Sequence, residues 1–434
     1  MQHALLGLAE NPALPSDLID RLIASADAEL AEALACRPDL DKAQTAALMR
    51  FEDAAVRLAH QGRLVADDVD PVAQPRVALA LLAEGSGQTE WAYRFAADPL
   101  VEIREKLAGC PSLPHEVMQT LASDPDVRVV AELALWAPSD IASELASHPH
   151  ADVRWSVAAN EATPSVVVAS LLTGGVSGSL MRVALAARTD LPAEAYMRLA
   201  EDPIPWIRST LAENPSIGES LMRTLATDRG YDVQRRLAHN PALPLDVLFD
   251  LASTTRIGSP LLPRIASATP HEVATMAASA NPTVRMLLAQ RRDLPPEIRD
   301  ALAEDPDAKV VKSIAPHPGL SDGQLRAMVA RHGTRVLAKA ATNPDATAQL
   351  LEDLTQHQPP VQKAFRAIAR HPNATAAALL ACLADHQARP LAARHSALPP
   401  AAIVELLDDE DWRVVEAAAA NPSLPCSAMS ELVP

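Results

Sequence analysis

Apolar positions along this chain keep register with a polar–proline turn. The turn is NPALP at Asn11 and Asn240, CPSLP at Cys110 and NPSLP at Asn421. Its first residue is called the anchor below. Alanine stands two residues before the anchor in copy after copy, as Ala9, Ala35, Ala59, Ala108, Ala158, Ala186, Ala212, Ala238, Ala289, Ala315, Ala341, Ala369, Ala393 and Ala419. Three residues before it the chain is usually apolar (Leu8, Leu34, Leu107, Val157, Leu211, Leu237, Leu288, Ile314). Seven before it is often β-branched (Ile103, Val153, Ile207, Val233, Val284, Val310, Val336, Val414). Offsets of four and seven share one face of a helix, whereas a strand would divide them between two faces.

Degenerate anchors fill the intervals: Arg37, Asn160, Arg188, Asn214, Arg291, His317, Asn343, His371 and His395, with weaker copies near Gln61, Gly85, Ala137 and Ala266. Asn11 to Asn421 is 410 residues, and 16 intervals make the period about 26. Self-similarity at this length is the mark of a solenoid. Each repeat reads as two short helices. The first follows Leu-Pro, with proline in the first turn, where its missing N–H costs nothing. Acids such as Asp17, Glu116, Glu194, Asp246 and Glu297 follow it, facing the positive helix end. The second is opened by Asp-Pro at Asp98, Asp124, Asp202 and Asp305, with aspartate as the expected cap. Helices of ten residues or fewer are unstable alone, so stacking supplies the burial. The expectation is one all-α solenoid over residues 1–434, of about 16–17 repeats. A mobile break is expected at 173–180 (TGGVSGSL), and lesser irregularities at 85–90, 256–260 and 356–361.

The combined motif, V-R-x-x-L-A-x-N-P-x-L-P-x-x-L-x-x-L-A-x-D-P, has good copies at Ile207–Leu225 and Val233–Leu251. It resembles the leucine-rich repeat variant family over nearly the whole chain, with HEAT-like repeats as the neighbouring pattern. The resemblance implies a right-handed superhelix in which one helix of each pair is a tighter 3₁₀ helix. Some relatives carry a cysteine-rich iron–sulfur segment. This chain has no such cluster, so no cofactor is implied.

Composition narrows the function. Hydrophobic residues make up 48% but aromatics only 3%, and there are 37 prolines. A net charge of −17 disfavours general affinity for nucleic acid or anionic membranes. Cys36, Cys110, Cys382 and Cys426 are too far apart for a short metal-ligand pair and read as reduced, mostly buried thiols. The N-terminus lacks the positive segment of a signal peptide, and no apolar run approaches a membrane span, so a cytoplasmic location is the expectation. The chain begins within a second helix (Ala4 to Ala9) and stops within a first helix (Cys426 to Leu432), without long polar caps. Self-association through those uncapped ends is therefore expected.

Arginine recurs six residues before the anchor, at Arg104, Arg154, Arg182, Arg208 and Arg285. Equal repeat positions stack into a line that could hold an acidic partner. The same residues would equally serve an Asp–Arg ladder between repeats. Trp155 and Trp206, beside two of those arginines, are candidate contact anchors, or else core filling. His317, His371 and His395 at anchors read as turn formers rather than metal ligands. No catalytic motif stands out. The expected function is a non-catalytic scaffold binding a protein or peptide partner through Arg104, Arg154, Trp155, Arg182, Trp206, Arg208 and Arg285. The alternatives are a small-molecule or nucleotide receptor using the groove, and a HEAT-like nucleic-acid-binding protein or DNA glycosylase built on Asp202, Trp206 and Arg208.

Overall fold

Helices account for all regular structure among the described residues: 33 α-helices and two 3₁₀ turns, with no strand. The computed structural model describes residues 2–173, 178–258 and 260–434, the side chains of Leu172 and Thr173 excepted. Half of the break expected at 173–180, residues 174–177, therefore lies outside the described residues. The chain forms two compact units. Unit 1 is Met1–Ala54, Ser259–Leu261 and Ala268–Pro434, and unit 2 is Ala55–Gly258 and Leu262–Ser267.

Both units are built from the expected helix pair. The A helix follows the Leu-Pro turn, and the B helix ends at the alanine before the next anchor. In Leu245–Thr254, an A helix, Val247, Leu248 and Leu251 are buried. In Tyr231–Leu237, a B helix, Val233 and Leu237 are buried, and Ala238 follows at zero exposure. The β-branched and apolar residues seven and three before the anchors are buried throughout, as are the alanines. B helices pack on B helices and A helices on A helices. Val101–Ala108, Val127–Trp136 and Ala151–Ala159 form one such run of B helices in unit 2. Pro282–Leu288, Ala308–Ile314, Thr334–Ala340 and Gln362–Ile368 form another in unit 1.

In most repeats the anchor side chain joins the repeat to the one before it. A helix leaves its last carbonyls without partners inside the helix. In unit 2, Asn240 donates from Nδ2 to the carbonyls of Ala212 (2.9 Å) and Asn214 (2.7 Å), and its Oδ1 accepts from the Ala242 N–H at 2.9 Å. Asn160 and Asn214 repeat this pattern. In unit 1, Asn343 and Asn421 do the same. The alanine two before the anchor matters because the next repeat must approach close enough to reach its carbonyl.

Other residue types do the same work. His371 places Nε2 2.7 Å from the Asn343 carbonyl, and its Nδ1 accepts from the Asn373 N–H; His395 reaches the His371 carbonyl in the same way. Arg37 donates from Nη1 to the carbonyls of Ala9 and Asn11, both at 2.8 Å, while Asp39 holds the rest of its guanidinium. Arg188 and Asp190 copy this in unit 2. His317 departs from the pattern. Its Nδ1 faces the Pro318 carbonyl, and its buried Nε2 has no hydrogen-bond partner. Burial, first of all, pushes its pKa below the ordinary histidine value.

The ladder also joins the two ends of unit 1, which corrects the expectation of uncapped ends. Asn11 donates to the carbonyls of Ala419 (2.8 Å) and Asn421 (2.7 Å), taking the place of the next anchor after Asn421. The helix Gln2–Glu10 packs on Trp412–Ala419. A Cβ added at Gly7 would stand 2.2 Å from the Glu416 carbonyl oxygen, so this contact requires glycine. His3 stacks on Trp412 with ring centroids 4.7 Å apart, and Arg394 pairs with Glu10 at 2.7 Å. These two segments therefore pack on one another instead of standing uncapped.

Two local expectations shift. Asp98, Asp124, Asp202 and Asp305 do not cap their B helices, which begin at Val101, Val127, Pro205 and Ala308. Each carboxylate instead accepts from the N–H two residues on, at 2.8–2.9 Å, closing a turn just before the helix. The Leu-Pro prolines Pro15, Pro114, Pro192, Pro244 and Pro425 stand at the N-cap of the A helix, one position earlier than expected. Among the described residues, 3₁₀ geometry is confined to Ala66–Asp68 and Leu406–Asp408. Elsewhere both helices of a repeat are α, not the alternation that the resemblance implied. No helix is long and apolar enough to cross a membrane among the described residues.

Replacing Asn240 with alanine strands two buried carbonyls and one N–H, and should cost about 2–4 kcal/mol. Aspartate adds a carboxylate facing two carbonyl oxygens and should cost more. Histidine should cost less than alanine, since His371 and His395 each reach one such carbonyl and accept the turn N–H. Urea denaturation should rank the variants Asn240→His, Asn240→Ala, Asn240→Asp in falling stability; histidine no better than alanine would contradict the assigned role.

Candidate functional site

The expected arginine line exists, and most of it is paired. Arg208 in the helix Pro205–Glu213 donates from Nε and Nη2 to the Asp228 carboxylate at 2.7 and 2.9 Å, and from Nη1 to the Asp202 carbonyl. Arg104 grips Asp124 (2.6 Å), Arg182 grips Asp202 (2.6 Å) and Arg285 grips Asp305 (2.6 Å). Arg389 also pairs with Asp409, but through one Nη alone, and its buried Nε has no hydrogen-bond partner among the described residues. The acid always stands 20 residues later, on the loop before the next B helix. Arg104, Arg208 and Arg285 thus tie their own loops to the following repeat, and their bidentate pairs take up the charge. Arg154 donates to the carbonyls of His148 and Pro149, both at 2.7 Å. Of the seven candidate contact residues, Arg104, Arg182, Arg208 and Arg285 are therefore engaged in joining repeats.

Trp155 and Trp206 stand apart from that duty. They are 37% and 51% exposed, which rules out core filling. Trp155 lies five residues before its anchor and Trp206 eight before, which places them on one face of the B-helix stack. Leu180 and Tyr231 are exposed on neighbouring B helices of the same run, so four successive repeats of unit 2 each present a large apolar side chain. The other tryptophans differ. Trp91 is buried, Trp412 stacks on His3, and Trp136 is exposed with its indole N–H donating to Glu132. Asp202, the acid of the glycosylase alternative, is buried and held by Arg182 and the Ile204 N–H.

Sequence reasoning passed over a second group. Lys309 and Lys312 on Ala308–Ile314, Arg335 and Lys339 on Thr334–Ala340, and Lys363 and Arg366 on Gln362–Ile368 form no ion pair among the described residues, and neither does Arg370. The signal was present: AKVVKSI, TRVLAKA and QKAFRAI contain no acid. At these repeats Val311, Leu337 and Phe365 occupy the position that arginine holds elsewhere, so the Asp–Arg ladder lapses where the unpaired cations gather.

The thiols divide evenly: Cys110 and Cys382 are buried, Cys36 and Cys426 exposed. Burial pushes the buried pair up to about 11 and about 12. Among the described residues no group of three or more His, Cys, Asp or Glu side chains is arranged to hold a metal ion.

The Arg208–Asp228 pair should be structural and pH-dependent. The Arg208 hydrogen bond, first of all, holds the Asp228 carboxyl below the usual range, against the opposing effect of burial. A lowered carboxylate pKa stabilises the fold above the ordinary carboxylate value, and that stabilisation is lost as pH falls through the folded value. A double-mutant cycle of Arg208→Ala and Asp228→Ala should give a coupling of about 1–2 kcal/mol at neutral pH, shrinking as pH falls below about 4. Coupling near zero at neutral pH would contradict the ladder.

No protein-family model matches the chain, and no curated protein matches it. Among solved structures, the chain is similar to a leucine-rich repeat variant described as having a novel repetitive protein structural motif. Identity is 20% and the TM-score 0.31, and the match covers 55% of this chain and 84% of the other. It is also similar to an engineered protein at 15% identity and TM-score 0.09, covering 79% of this chain and 96% of the other. The repeat assignment rests on the helices and the anchor ladder.

Proposed function

We propose that this chain is a non-catalytic repeat scaffold that binds a protein or peptide partner through the exposed columns of its B helices. The observation that carries this is the division of labour within a repeat. The anchor, the alanine and the apolar residues three and seven before the anchor are all engaged in stacking. Most positions eight and five before the anchor face solvent, Ser209 being a buried exception, and their chemistry varies widely. They are acidic at Glu29, Glu32, Glu102, Glu105, Asp152 and Asp232, apolar at Trp155, Leu180 and Trp206, and basic at Lys309, Lys312, Arg335, Lys363 and Arg366. Positions without a structural duty can vary to suit a partner while stacking is preserved.

The apolar stretch is the best candidate contact for a protein surface. Exposed tryptophans in a chain with 3% aromatics fit the composition of interface anchors. Trp155 and Trp206, rather than the paired arginines, carry the proposal. In cross-linked affinity capture from native lysate, Trp155→Ala/Trp206→Ala should lose the partners held by wild type while its melting temperature stays within a degree or two. An unchanged set of partners would remove this face from consideration.

A further inference from the structure

The unpaired cations of unit 1 converge on one groove. It has a volume of about 770 Å³ and is lined by Lys312, Arg335, Lys339, Lys363, Arg366 and Arg370. A smaller depression beside it shares Lys312 and Arg335 and adds Lys309 together with one acid, Asp307. Among the described residues that line the groove there is no carboxylate and no carboxamide. Six like charges around one cavity of about 770 Å³ repel one another, and salt screens that repulsion only over a Debye length of about 8–10 Å at physiological strength. Acids outnumber bases 55 to 38 in this chain, and other arginines of the B helices are matched with aspartates 20 residues on. In this groove no acid is supplied by the chain, so the charge balance has to come from outside.

The lining also specifies the kind of anion. Its side-chain polar groups are ammonium and guanidinium donors, the hydroxyls of Thr334 and Thr342, and the His371 ring, already engaged in the ladder. An extended peptide brings N–H groups that need acceptors, and the lining side chains offer only two hydroxyls. A phosphoryl group brings acceptor oxygens alone, which guanidinium meets in bidentate fashion and ammonium as a point charge. No Phe, Tyr or Trp lines the groove to stack a nucleobase. A long nucleic acid strand would run on to the same columns where they carry Glu29, Glu32 and Glu416 in this unit. The volume lies within the range of about 300–1,000 Å³ usual for small-ligand sites.

We propose that this groove binds a compact, multiply phosphorylated anion, recognised through its clustered phosphoryl groups. The site is separate from the tryptophan face of unit 2. Isothermal titration of the full chain with sodium tripolyphosphate at neutral pH and 0.1 M salt should give saturable one-site binding that weakens steeply with added salt. Arg335→Glu/Arg366→Glu should weaken it at least tenfold, and the milder Arg335→Gln/Arg366→Gln should weaken it by a smaller factor, both with unchanged helical content. Lys106→Glu, which alters the repeat position of Lys339 elsewhere in the chain, should bind like wild type. Adenosine triphosphate should bind no more than tenfold tighter than tripolyphosphate, because no ring is present to hold the base. Absence of binding, equal loss in Lys106→Glu, a larger preference for the nucleotide, or tighter binding of oligoglutamate or single-stranded DNA would each overturn the proposal.

Discussion

One short side chain at the start of each turn holds the repeats of this protein to one another. The anchor amide accepts from its own turn and donates to two carbonyls of the repeat before it, those of the preceding anchor and of the alanine two residues earlier. Those carbonyls lie at a helix end, where no intrahelical donor is present. Buried without partners, each would cost about 1–3 kcal/mol. The alanine keeps the helices close enough for the reach, and the β-branched residue five positions before it fills the space behind. At Arg37 and Arg188 an Arg-x-Asp pair reaches both carbonyls, and at His371 and His395 the ring reaches the preceding anchor's carbonyl alone. The ladder continues from Asn421 to Asn11, so residues 2–54 extend the stack formed by the later repeats of unit 1.

Much of this was legible because it is periodic and local. The anchor, the alanine and the Val or Ile each signal burial through position alone, and all three are buried as their spacing requires. What escaped involved partners distant in sequence. Asp202 and Arg208 lie six apart, a spacing that pointed to an Asp–Arg ladder between repeats without fixing the pairs: Arg208 meets Asp228 and Asp202 meets Arg182. Local spacing could not locate these acids, which come close only when helices stack. The aspartate before proline has the sequence of an N-cap, yet the turn it closes delays the helix by two residues. The contact between Gln2–Glu10 and Trp412–Ala419 joins segments about 400 residues apart, and its one local sign is Gly7 in a position that a Cβ would block.

The candidate site was legible only in part. Tryptophan in an aromatic-poor chain drew attention to Trp155 and Trp206, and both are exposed. The arginines drew equal attention because they recur, but recurrence in a repeat protein is a sign of stacking. The proposed contacts are positions that stay exposed while changing character from repeat to repeat. The cations of residues 309–370 are of that kind. They were missed because an absent counter-charge makes no motif, and their unpaired state emerges only once each neighbouring acid has been placed.

The most direct test of the anchor ladder lies where it joins sequence-distant segments. Cys36 and Cys426 are exposed native thiols on the two joined segments, whereas Cys110 and Cys382 are buried and unreactive. Spin labels on the exposed pair can be measured by double electron–electron resonance without introducing any new cysteine. The ladder predicts one short, narrow distance distribution that broadens in Asn11→Ala. A broad distribution in the wild-type chain, unchanged by loss of Asn11, would contradict it.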